Sequence, residues 1–157
     1  MAAQPRSRAL LFLTVLAAPG ALGFETLLRA LLFPPDFELL RAFLSPVLTP
    51  LAWVLGLVAA AGSLIGLALQ RSIAHKRLAR LPEGASEEVR YQQVLAVFLL
   101  TTAAPQIPAI LATFALMFGA SLTPVLIGVG ICSLGVIAQA LRVSSLAAAA
   151  RRRGRAP

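Results

Sequence analysis

Val94–Phe118, VLAVFLLTTAAPQIPAILATFALMF, contains no charged residue. It is long enough to cross a bilayer, whose hydrocarbon core takes about 20 apolar residues as a helix. A water-soluble fold has little use for such a run. The centre is polar by comparison: Thr101-Thr102-Ala103-Ala104-Pro105-Gln106-Ile107-Pro108. Two prolines and a glutamine therefore sit at mid-membrane depth.

Three further runs flank it. A first span is expected over about 9–33, a second over 47–69 and a fourth over 122–143. The composition agrees with all four. Hydrophobic residues make up 59% of the 157 residues and charged ones only 13%, against about 45–50% and about 25% in soluble domains. The reading is an all-α, polytopic integral membrane protein, one four-helix domain over residues 1–157. Residues 1–23 also fit a signal peptide, with Arg6 and Arg8 before an apolar centre and Ala21-Leu22-Gly23 before Phe24. A retained first helix is expected instead, because the apolar character resumes after Glu25 in TLLRALLF. Pro19 should kink it.

Between the first two spans, Pro34-Pro35 breaks the chain. Asp36–Leu44 places Phe37, Leu40 and Leu44 on one face, so a short outer interfacial helix is expected, ended by Ser45-Pro46. Glu25 and Arg29 are four apart and predict an ion pair at the outer surface. Residues 70–91 form the one long polar loop, with a turn at Pro82-Glu83-Gly84 and Ser86 as the cap of the third helix. Gly119-Ala120-Ser121 is a tight, uncharged turn, after which Thr123-Pro124 should open the fourth helix.

Charge sets the expected orientation. The net charge is +8. Arg6, Arg8, Arg71, Lys76, Arg77, Arg80, Arg90, Arg142 and the tail arginines share one side of a four-span topology; only Arg29 and Arg41 lie on the other. Basic loops stay in the cytoplasm. Both termini and the 70–91 loop are therefore expected inside, in a cell inner (plasma) membrane. The arginines flank apolar runs without an aromatic platform for bases, so lipid rather than nucleic acid is the expected partner.

Little catalytic chemistry is on offer. The lone Cys132 has no disulfide or CxxC partner, and the lone His75 lies among basic residues. A metal site or a nucleophile–base pair needs more. Neither an enzyme nor a cofactor is expected. Spans two to four lack the ionisable groups that proton and cation carriers use. Gln106, Thr101 and Thr102 are the one candidate polar site, since Pro105 and Pro108 free the carbonyls of Thr101 and Ala104. The small residues Gly62 and Gly66, a GxxxG pair, and Gly128 and Gly135 mark helix-packing faces.

The hairpin Gly56–Phe118 resembles the c subunit of rotary ATP synthases. Arg80-Leu81-Pro82-Glu83 is similar to that family's Arg-Gln-Pro loop, and Pro105-Gln106-Ile107-Pro108-Ala109-Ile110 to its carboxylate region. The resemblance covers under half of the chain. It implies a small-residue helix paired with a second helix through a polar cytoplasmic loop. Gln106 stands where the ion-binding carboxylate would be, and a neutral amide releases no proton, so the resemblance implies a non-conducting relative.

Two functions follow as expectations. One is a non-enzymatic subunit, accessory or assembly factor that packs against a membrane-protein partner or its own copies. The other is a channel or carrier binding a small molecule, quinone or lipid around Gln106.

Overall fold

A computed structural model describes residues 5–34, 36–82 and 85–153, with side chains described from Leu13 to Val143 apart from 35, 83, 84 and 87. The chain runs as α1 (Pro5–Leu32), α2 (Phe37–Ala79), α3 (Glu87–Met117) and α4 (Leu122–Arg153). All four are long and apolar enough to cross a membrane, and no strand occurs among the described residues. The protein is a polytopic, all-helical membrane protein. The turn expected at Pro82-Glu83-Gly84 and the tail Arg155 lie partly or wholly outside the described residues.

α2, α3 and α4 pack on one another, and α1 packs on α3 and α4 but not along α2. The seam of α2 shows why three helices close so tightly. Its buried residues are Ala52, Gly56, Ala59, Ser63, Gly66, Gln70 and Ala74. They recur in steps of three and four, one stripe down a helix, and all but Gln70 are small. In lipid no apolar driving force separates helix from solvent, so close backbone approach supplies the attraction. The facing sides of α3 and α4 bring Phe98, Ala109, Ala112, Val125, Cys132 and Val136, all essentially inaccessible. Leucines such as Leu57, Leu64, Leu134 and Leu141 point outward to lipid.

The expected short interfacial helix is not separate. Residues 37–44 are the first turns of α2, which is one helix of 43 residues through Pro46 and Pro50. At about 1.5 Å per residue it is ~65 Å long, twice the apolar thickness of a bilayer. Each proline removes only one backbone donor, and tertiary contacts outweigh that loss. The Arg41 guanidinium donates to the carbonyls of Leu116 (3.2 Å) and Met117 (3.2 Å) at the end of α3. Cations at a helix C-terminus satisfy orphan carbonyls and complement the dipole.

The α3–α4 turn is built around the same arginine. Gly119 N–H donates to Leu116 and Ala120 N–H to Ala115, the paired bonds of a Schellman motif. Gly119 has φ +124°, and a Cβ there would lie 2.3 Å from the Arg41 carbonyl oxygen. Only glycine meets both demands. α4 then starts at Leu122, one residue before the expected Thr123 cap, and Ser121 N–H donates to Thr49 Oγ1 of α2 (3.0 Å). Ser86 caps α3 as its sequence predicts, accepting from Val89 N–H (3.4 Å).

Candidate functional site

The polar groups inside the bundle fall into three places. The first is the proline segment of α3. Pro105 and Pro108 leave the Thr101 and Ala104 carbonyls without their helical donors. Against this stretch α2 sets Gly62 and Gly66. A Cβ at Gly62 would sit 3.0 Å from the Ala104 carbonyl and from Pro105 N, and one at Gly66 would sit 2.9 Å from the Thr101 oxygen. The GxxxG pair is thus occupied within the chain, by α3. Gly128 of α4 meets Gly56, and Gly135 meets Ser63.

The two threonines turn back on their own helix. Thr101 and Thr102 both donate to the Phe98 carbonyl (3.1 and 3.0 Å), and Thr102 also lies 3.2 Å from that of Leu99. Gln106 turns elsewhere: its half-buried amide donates to the Thr14 carbonyl of α1. The three candidate residues therefore address different partners, Thr101 and Thr102 within α3 and Gln106 across to α1.

The second place is the Asp36 end of the bundle. The expected Glu25–Arg29 pair does not form. Arg29 instead reaches Glu38 (2.9 Å), which also takes the Arg41 guanidinium (2.8 Å). Spacing along one helix sees only its own neighbours, whereas the 33–36 turn delivers a better-placed carboxylate from the next helix. Phe33 stacks on Phe37 at 4.2 Å between ring centres and holds that turn closed. Glu25 is left buried on α1, with its Oε2 unpartnered.

The third place is towards the Arg80 end, and sequence reasoning did not single it out. Gln70 of α2 and Gln139 of α4 are 1% and 0% exposed. Gln70 Nε2 donates to the Gln139 main-chain carbonyl (3.2 Å). Gln70 Oε1 and both polar atoms of the Gln139 side chain have no partner in the chain. Arg142, one turn on, donates to the Leu67 carbonyl of α2 (2.8 Å). The available signal was the amide of Gln139 inside the otherwise apolar GVIAQAL of α4, the kind of intramembrane polar group that marks a helix contact or a site.

The chain matches no family model, no curated protein and no solved structure.

Proposed function

We propose that the chain is a non-enzymatic subunit, accessory or assembly factor of a membrane complex, acting through helix packing, in the inner (plasma) membrane with both termini cytoplasmic. The observation that carries this reading is the contrast between α1 and the other helices. In the apolar window of α1 only 11% of residues are buried, against 44% in α3. Gly20 and Gly23 of α1 have nothing within 4 Å of where a side chain would start, while the glycines of α2 and the inner face of α4 are filled from within. α1 thus keeps a small-residue face that the chain's own helices leave open, next to exposed Leu16, Phe24 and Leu27.

The orientation draws on charge. Arg71, Lys76, Arg77, Arg80, Arg90 and Arg142 gather at the Arg80 end, and Arg29 and Arg41 at the Asp36 end share Glu38. Basic ends stay inside. The reading is placed ahead of a channel or carrier around Gln106 because the threonine hydroxyls and the Gln106 amide already have partners within the bundle.

The test is Gly20→Leu with Gly23→Leu. Both positions open outward, so the four-helix fold accommodates them. Native complexes extracted in mild detergent should shift to a smaller species and lose their co-purifying chain. If the mass and the accompanying proteins are unchanged, α1 is not the contact and the reading falls.

A further inference from the structure

We propose that the seam between Gln70, Gln139 and Thr101 is a binding site for buried water. The site rests on two side-chain amides and one main-chain carbonyl and stands apart from the function proposed above. Two amides at least 99% buried face one another across α2 and α4, and three of their polar atoms lack partners. The Gln139 amide lies over Gly66: a Cβ there would be 2.7 Å from Gln139 Nε2 and 2.9 Å from the Thr101 oxygen. That carbonyl is the one Pro105 cannot serve.

The chemistry of the open valences selects the occupant. Gln70 Oε1, Gln139 Oε1 and the Thr101 carbonyl accept, while Gln139 Nε2 donates. Exchanging N and O of the Gln139 amide leaves the same imbalance. What is needed is a small molecule that brings O–H donors and accepts at least one N–H, two such molecules covering all three acceptors. Water does so, and buried waters ordinarily make about three such bonds to polar groups that lack other partners. An apolar occupant would leave every group stranded, at the penalty that buried amides carry. An ion would find no opposite charge among these polar atoms, and Arg142 of α4 donates to the Leu67 carbonyl. Gly66 lets the Gln139 amide and the Thr101 carbonyl come this close to α2, since a Cβ there would press on both.

The experiment is magnetisation transfer from water to side-chain amides in the ¹⁵N-labelled full chain in lipid bilayers. The exposed Gln92 amide is the wet reference and the backbone N–H of Val97 and Phe98 the dry one. The Gln139 and Gln70 amides should take up water magnetisation nearly as fast as Gln92, and Gln139→Leu should abolish most of the transfer at Gln70. The proposal is overturned if the wild-type Gln139 amide is as dry as Phe98, or if it shows a direct hydrogen-bond coupling to the Thr101 carbonyl. Thermal unfolding gives an independent reading. A hydrated network loses bonds in Gln139→Leu, so the midpoint drops; an unchanged or higher midpoint means that leucine replaced a dry orphan, and overturns the site as well.

Discussion

Gly135→Ala adds one methyl group at the tightest contact of the bundle. Its carbon would lie 2.3 Å from Ser63 Oγ and 2.6 Å from Ser63 Cβ. The hydroxyl can rotate away, but the Cβ cannot move without the α2 backbone. Over-packing a close contact costs about 1–3 kcal/mol, and the alanine recovers up to about 1 kcal/mol of helix propensity. The net expectation is a loss of ~1 kcal/mol. Ser63→Gly in the same chain removes both clashing atoms and passes the side chain from α2 to α4. Ser63 Oγ donates only to the Ala59 carbonyl of its own helix (2.9 Å), so little else is lost. The pair should therefore couple by about 1–2 kcal/mol, within the range seen for residues in contact. The assay is reversible unfolding in micelles or bicelles of the two single variants, the double variant and Gly23→Ala. Gly23→Ala is the reference because nothing lies within 4 Å of it, and it should be neutral or slightly stabilising. If Gly135→Ala unfolds where Gly23→Ala does, or Ser63→Gly gives no rescue, then α2 and α4 do not meet as described.

Other expectations concern the two ends and the first helix. Arg41→Lys should cost about 2–3 kcal/mol, since a single ammonium cannot reproduce the fork that serves Leu116, Met117 and Glu38 together; denaturation of the purified variant checks this. Gly119→Ala should cost ~2–4 kcal/mol from its positive φ and its approach to the Arg41 backbone, and a wild-type midpoint would refute the turn. Gln106→Leu removes the bond to Thr14. The loss should be only about 0.6 kcal/mol, seen as faster hydrogen exchange in α1 with α2–α4 unchanged. In a Cys132→Ser background, a cysteine at Asp36 should react with an impermeant maleimide in intact cells and one at His75 only after permeabilisation; the opposite pattern would reverse the topology.

The four helices could be read from the sequence because lipid forces the backbone to satisfy itself, which leaves only long uncharged helices. Ser86 was legible for a local reason, a hydroxyl one turn from a free N–H. The failures share a cause. Pro46 reads as a breaker until Arg41, 76 positions from Met117, is seen fastened to the far end of α3. Glu25 and Arg29 read as a pair until Glu38 is seen to fold beside them. Gln70 and Gln139 are 69 positions apart, and no periodicity links them. Thr101, Thr102 and Gln106 drew attention because they are adjacent in sequence, yet a helix sends them to different neighbours. The resemblance of the Gly56–Phe118 hairpin to rotary c subunits implied a small-residue helix against a proline-bearing one. Gly62 lies against Ala104 and Pro105, a close approach that a small residue permits wherever two helices cross.

The length of α2 has a mechanical corollary. From Arg41, where it is pinned to α3, to Ala79 it extends about 57 Å at 1.5 Å per residue. Over that length a lean of 5° displaces one end sideways from the other by about 5 Å. A membrane that thins or thickens asks its helices to lean by such amounts. The stripe of α2 from Ala52 to Ala74 is seated on α3 and α4, so α2 leans only with them, and at its far end that shared tilt moves His75, Lys76 and Arg77 together.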